Sequence, residues 1–89
     1  MTTLVPHTVP TKKNIDDIFV MLKVVLNSRI AKHGDEGYAS THEALGIITE
    51  EFWELVEAVR QDSIYEFSSE CTDVAIAAIW ALISIQANK

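Results

Sequence analysis

The sequence is short of positive charge. Its 89 residues contain seven Lys and Arg against thirteen Asp and Glu, which leaves a net charge of −6. A protein that binds nucleic acid through the phosphates carries a basic surface, so this balance argues against nucleic acid as a partner. An acidic chain can still bind a polyphosphate, but it then needs a cation to bridge the two negative partners.

Cysteine and long hydrophobic runs are scarce as well. Cys71 is the single cysteine, so no internal disulfide framework forms and nothing requires an oxidising compartment. The first ten residues have no basic segment followed by an apolar core, so they do not form a signal peptide. The longest apolar run, residues 74–83, is shorter than the roughly 18 residues of a membrane span. We therefore expect a cytoplasmic protein without a membrane partner.

Apolar side chains are what the chain has in excess. Hydrophobic residues make up 48% of the sequence. A chain of this length buries only about 60–70% of the surface that its unfolded form exposes, so a lone domain cannot easily hide so much apolar material. The imbalance predicts that copies of the chain associate.

Three segments show the hydrophobic period of an α-helix. The apolar stripe of the first comprises Ile15, Ile18, Phe19, Leu22, Val25, Leu26 and Ile30, and the apolar face of the second comprises Leu45, Ile48, Phe52, Leu55, Val56 and Val59. In the first, Asn14 is the expected N-cap, and Gly34 follows the last turn as a C-terminal stop. Capping-box patterns that begin at Ser40 and Ser63 predict where the other two helices start. We expect these two helices to end near residues 61 and 86.

Strand-like alternation is absent, so the predicted fold class is all-α. Because only Asp62 separates the second helix from the third, the two are expected to lie antiparallel as neighbours. We expect residues 1–13 to form a flexible or docked tail. Residues 14–89 are expected to form one antiparallel helical bundle of three main helices, completed by oligomerisation.

Four acids are placed symmetrically about the predicted turn. Glu54 and Glu70 each lie eight residues from Asp62, and Glu51 and Asp73 each lie eleven. With a rise of about 1.5 Å per residue, the two members of each pair lie at the same height along the hairpin. The two acids of each helix are three residues apart, so they share a face. The spacing predicts that four carboxylates meet between the helices.

Carboxylates this close repel one another unless they are protonated or bind a cation. Oxygen ligands favour hard divalent metals, and Mg²⁺ or Mn²⁺ are the natural candidates. The third helix has no Lys or Arg to form a salt bridge, and the uncharged run after Asp73 is typical of a buried helix. We therefore predict a metal site whose ligands are Glu51, Glu54, Glu70 and Asp73. The alternative is that these acids form an ordinary solvated face.

These residues carry a family resemblance. E-E-x-x-E at Glu50, Glu51 and Glu54, followed after fifteen residues by E-x-x-D at Glu70 and Asp73, resembles the MazG-like all-α NTP pyrophosphohydrolase superfamily. The resemblance covers roughly residues 14–86, and its diagnostic part is residues 50–73. Many members have a further helix after E-x-x-D, for which this chain has no room, so a partner subunit is expected to supply that packing.

The resemblance implies a function. It implies Mg²⁺-dependent hydrolysis of a (d)NTP between the α- and β-phosphates to a nucleoside monophosphate and pyrophosphate, a reaction of nucleotide-pool housecleaning. It implies the four metal ligands named above, a supporting or water-orienting role for Glu50, and assembly as a homodimer or homotetramer. A carboxylate that is not fully committed to metal can act as general base, so Glu50 and Glu54 are the candidate catalytic residues.

Arg29, Lys32 and His33 crowd the last turn of the first helix and are candidate binders of substrate phosphates. They equally suit the negative end of the helix dipole, so both roles stay open. The alternative function is a non-catalytic helical interaction module or nucleotide sensor on the same scaffold. A di-iron bundle is disfavoured because no Glu is followed by His three residues later.

Overall fold

The computed structural model describes residues 4, 5 and 7–89, and most of these form three α-helices. The helix α1 spans Lys12–His33, α2 spans Thr41–Arg60 and α3 spans Ile64–Ala87. The described part of the chain contains no strand, which confirms the predicted all-α class. The chain divides into two compact units, Met1–Asp35 with α1 and Glu36–Lys89 with α2 and α3.

The helix α1 begins earlier than predicted. Thr11 is its N-cap: the Thr11 hydroxyl accepts the N–H of Asn14, and the Asn14 side chain accepts the N–H of Thr11. The prediction of Asn14 as N-cap is therefore wrong, because Asn14 is the third helical residue and completes a capping box. Lys12 and Lys13 are helical, so α1 crosses the predicted boundary between tail and domain. Of that predicted tail, residues 1–3 and 6 lie outside the described residues.

The end of α1 is as predicted, and its apolar side chains are exposed or half-buried. Gly34 has φ 95°, a left-handed conformation that glycine adopts easily, and its N–H donates to the Ile30 carbonyl at 2.9 Å. No residue of α1 is buried. Ile18 and Phe19 of its apolar stripe expose 52% and 66% of their surface.

The hairpin of α2 and α3 starts each helix at the predicted residue. The Ser40 hydroxyl accepts the N–H of Glu43, and the Ser63 hydroxyl accepts the N–H of Glu66. Asp62 makes the turn between the helices with φ 55°, a left-handed conformation in which Asp is one of the better-tolerated residues.

Small side chains line the contact between α2 and α3. Ala44 and Ala58 of α2 are buried, as are Ala77 and Ser84 of α3. Residues seven apart fall on one face of a helix, and Glu51 lies midway between the two alanines. Small side chains let two helix axes approach closely. We call this contact face the seam.

Large apolar side chains contribute little to the core of the single chain. Leu45, Phe52 and Val59, on the predicted apolar face of α2, expose 62%, 49% and 58% of their surface. The third helix was expected to be buried, yet Leu82 and Ile85 are 68% and 50% exposed. The reason is geometric: α2 covers only one face of α3, and a helix that is apolar on every side needs further neighbours.

The length and composition of α3 are those of a helix that could cross a membrane, and 17% of its apolar window is buried. The core helix of a soluble protein meets the same criteria.

Candidate metal centre

The seam brings four carboxylates together. Glu51 and Glu54 of α2 and Glu70 and Asp73 of α3 each place one oxygen within 4.8 Å of the others. Glu51, Glu70 and Asp73 are half-buried, and Glu54 is exposed. The four acids, spaced symmetrically about Asp62, thus meet between the helices as the helical rise predicts. The cluster opens to solvent on the side of Glu54.

Glu70 has a strongly raised pKa within this cluster. Its pKa is raised from 4.5 to about 7, first by burial, then by the nearby charges of Asp73 and Glu54, and by hydrogen bonds to these same two side chains. Such bonds favour the protonated carboxyl, which alone can donate to another carboxylate. Near neutral pH the cluster without a cation therefore holds a proton at Glu70.

The donor set fits a hard divalent cation. All four groups are carboxylates, the ligand type that Mg²⁺ and Mn²⁺ prefer. Arg60 is the only Lys or Arg in α2 and α3, and it pairs with Glu57 instead. Glu70 Oε2 is buried and has no hydrogen-bond partner, which is costly for a carboxylate oxygen. A bound cation would satisfy this oxygen and remove the repulsion within the cluster.

The other four predicted site residues are Glu50, Arg29, Lys32 and His33. Glu50 is adjacent to Glu51 in sequence, but its side chain is exposed and is not one of the four that meet. Arg29, Lys32 and His33 lie in the last turns of α1, where Arg29 is half-buried and the other two are exposed. They belong to the first compact unit and the four acids to the second, and their role in phosphate binding stays a prediction.

The loop that precedes α2 is hydrogen-bonded to α3. The indole N–H of Trp80 donates to the Glu36 carbonyl at 3.1 Å, and the Tyr38 N–H donates to the Ser84 hydroxyl at 3.0 Å. Ser84 in turn donates to the Trp80 carbonyl at 2.7 Å. Between these anchors, Gly37 lies so close to α3 that a Cβ there would be 2.9 Å from Ser84 Oγ.

These anchors hold Tyr38 next to the acids. Its phenol donates to the Ala77 carbonyl at 3.4 Å, one helical turn beyond Asp73. Burial raises the pKa of Tyr38, and the charges of Glu43 and of one cluster member, Glu51, raise it further. Sequence reasoning did not select Tyr38 as a site residue, because a tyrosine in a loop carries no periodic or motif signal.

Comparisons with known proteins find no matching family, no matching curated protein and no matching solved structure.

Proposed function

We propose that this protein is a Mg²⁺-dependent nucleoside triphosphate pyrophosphohydrolase that cleaves a (d)NTP between the α- and β-phosphates. The observation that carries the proposal is the meeting of four carboxylate oxygens within 4.8 Å at the seam. The resemblance of E-E-x-x-E and E-x-x-D to the MazG-like enzymes adds the reaction type. Four of the five acids that match those motifs are the residues that the hairpin brings together, and Glu50 is the exception.

Charge explains why a cation is part of the proposal. The unit Glu36–Lys89 contains ten Asp and Glu, and Arg60 and Lys89 are its only Lys and Arg. A triphosphate would be repelled by this surface unless a cation bridged it. When bound, Mg²⁺ would polarise the phosphoryl oxygens and lower the pKa of a bound water.

The residues of the chain have separable roles in this proposal. Glu51, Glu54, Glu70 and Asp73 would hold the cation, and Glu70 must first release the proton that it keeps up to a pH of about 7. Glu50 is exposed and outside the cluster, so its carboxylate stays available to accept the proton of the attacking water. Glu54 is the exposed member of the cluster, so substrate would approach the cluster from the side of Glu54.

A second copy of the chain completes the proposed enzyme. The buried apolar residues of the described chain are Ala44, Ala58, Ile76 and Ala77, and no large side chain in that part is fully buried. Exposed side chains such as Phe19 and Leu82 are the kind that an obligate interface covers. We therefore propose a homodimer or homotetramer in the cytoplasm, with α3 as an intersubunit helix rather than a membrane span.

The same exposed apolar surface supports the alternative function, a helical interaction or nucleotide-sensing module without turnover. One experiment separates the two. Pyrophosphate release is measured across canonical and modified NTPs and dNTPs, with and without Mg²⁺, for the natural chain and for the Asp73→Asn and Glu66→Gln variants. Glu66 is a matched control because it is an exposed acid on the same helix, outside the cluster.

The enzyme hypothesis expects Mg²⁺-dependent pyrophosphate release by the natural chain and by Glu66→Gln. Asp73→Asn should lose at least about a hundredfold, because loss of even an outer-shell partner of a metal site costs about 10–100-fold and Asp73 is a proposed ligand. Nucleotide binding without release by any of the three proteins would favour the sensing module. Equal turnover in all three would contradict the assignment of the ligands.

A further inference from the structure

An open groove of about 430 Å³ lies between the first turns of α2 and the last turns of α3. Small-molecule sites in proteins have volumes of roughly 300–1,000 Å³ and mostly apolar walls. The groove meets both criteria, and no part of it belongs to the acidic cluster. Its apolar lining includes Tyr38, Ala44, Leu45, Ile48, Ala81 and Ile85.

The groove runs toward the four acids. On α2, Ile48 of the groove precedes Glu51 by three residues, a rise of about 4.5 Å. Tyr38 connects the two places, since it lines the groove and its phenol donates to the Ala77 carbonyl, one helical turn beyond Asp73. A ligand whose charged end is at the acids therefore has its other end directed to an apolar surface.

We propose that this groove binds the nucleoside portion of a nucleotide whose phosphates lie at the acidic cluster, with Tyr38 at the boundary between the two. This inference rests on the proposed function for the position of the phosphates. The anchors at Ser84 and Trp80 hold the Tyr38 loop in place before the ligand arrives, which lowers the entropy cost of binding.

The hydrogen bonds of the groove predict how it selects a base. Its polar side chains are mostly engaged within the chain: Ser40 accepts the N–H of Glu43, Tyr38 donates to the Ala77 carbonyl, and Asn88 donates to the Ser84 carbonyl. Strong rejection of a wrong base requires polar groups that it would leave unpaired. The groove therefore holds bases by apolar contact, and we expect affinities for the common bases to differ by less than about tenfold.

Backbone amide NMR tests the groove directly. The labelled protein with Mg²⁺ is titrated with inorganic tripolyphosphate, with the non-hydrolysable α,β-methylene analogues of ATP, GTP, CTP and UTP, and with adenosine. The variants are Leu45→Asn, which removes an apolar wall of the groove, and Val59→Asn, its control. Both residues are exposed apolar side chains of α2, and Val59 is outside the groove.

Our expectation is that the nucleotide analogues shift amides both at the groove and at the four acids, while tripolyphosphate shifts those at the acids alone. Leu45→Asn should raise the Kd of the analogues about tenfold, because it removes the burial of a Leu side chain. It should leave the Kd of tripolyphosphate unchanged, and Val59→Asn should change neither Kd by more than about twofold.

The outcomes separate this inference from the proposed function. Analogues that shift only the amides near the acids would overturn the groove as a site and leave the metal-dependent function standing. Suppose that adenosine and the analogues shift the amide resonances of the groove, while Mg²⁺ and tripolyphosphate shift no resonance. That result would support the groove as a site and contradict the proposed function. Absence of any shift with every ligand would overturn both.

Discussion

The Ser84 hydroxyl accepts the backbone N–H of Tyr38 at 3.0 Å across 46 residues of chain. Ser84 is buried, with 6% of its surface exposed, and its hydroxyl donates to the Trp80 carbonyl at the same time. One small side chain therefore ties the loop before α2 to the last turns of α3. The hairpin is closed at this end by Ser84 and at the other by the turn at Asp62.

The close approach of Gly37 to Ser84 predicts a position-specific effect of alanine. Gly37→Ala places a Cβ 2.9 Å from Ser84 Oγ and 3.2 Å from Ser84 Cβ. The loop must then move, and the Tyr38 N–H loses its acceptor, so we expect a loss of about 1–3 kcal/mol in the free energy of unfolding. Urea denaturation followed by circular dichroism measures it.

Gly46 is the matched control for this prediction. It lies within α2, and a Cβ there would meet nothing within 4 Å. Gly46→Ala should raise the free energy of unfolding by up to about 1 kcal/mol, because alanine is the better helix former. Equal effects of the two substitutions would show that the loop does not pack on Ser84 as described.

The raised pKa of Glu70 predicts how stability depends on pH. The folded chain keeps the Glu70 proton up to a pH of about 7, whereas the unfolded chain releases it near the ordinary value of 4.5. Between these values the folded state binds more protons, so the Glu70 contribution is fully present below pH 4.5 and is lost as the pH rises through about 7.

Glu70→Gln tests this assignment because it cannot lose the proton. In metal-free buffer, we expect the midpoint of urea unfolding to fall between pH 5 and pH 8 less steeply for Glu70→Gln than for the natural chain. Glu66→Gln, on an exposed acid of the same helix, should keep the natural slope. The same slope in all three proteins would show that Glu70 is not the group that titrates.

Divalent cations should stabilise the fold through the four acids. A ligand that binds only the folded state at about a hundred times its Kd adds about 2.7 kcal/mol to the free energy of unfolding. We expect Mg²⁺ and Mn²⁺ to raise Tm, more at pH 8 than at pH 6, because Glu70 must lose its proton before it can bind metal. Thermal unfolding with added chloride salts at constant ionic strength measures the effect.

For Asp73→Asn we expect most of this stabilisation by cations to be lost, since one of the four ligands becomes neutral. Glu66→Gln should keep it. A Tm that rises equally with Mg²⁺ in both variants would point to general binding of cations by an acidic protein rather than to a site.

The exposed apolar side chains of α3 predict a self-association that a single charge can weaken. Leu82 exposes 68% of its surface on a helix without any Lys or Arg. If a second copy covers it, Leu82→Asp buries an unpaired charge and should raise the dissociation constant at least about tenfold. Light scattering over a range of concentrations measures this, with Gln61→Asp, at an exposed position outside α3, as the control. A monomeric natural chain would contradict the proposed oligomer.

The hairpin could be predicted from the sequence because its determinants are local. Ser40 and Ser63 act within three residues of themselves, and the rise of a helix converts the distances from Asp62 into heights. The predicted start of α1 was wrong because two nearby residues fit the same local pattern. Thr11 and Asn14 both suit an N-cap, and only the reciprocal hydrogen bonds show that Thr11 occupies that position.

The remaining features depend on contacts that no local pattern encodes. The Tyr38 loop meets α3 because of where two distant segments lie after folding, and no spacing rule relates Tyr38 to Ser84. Periodicity likewise identified the apolar stripe of α2, but not which edge of it faces α3. Ala44 and Ala58 rather than Leu45 or Phe52 are buried, since small side chains let the helices approach most closely.

The alanine seam has a consequence for the choice of ion. Carboxylates on two rigid helices cannot adjust their separation freely, so the helix spacing sets the size of the cavity between them. Mg²⁺ requires oxygen ligands at about 2.0–2.1 Å and Ca²⁺ at about 2.3–2.6 Å. In the proposed metal site, Ala58 would thus help to set the helix spacing that suits Mg²⁺, and the same four acids on helices held farther apart would favour Ca²⁺.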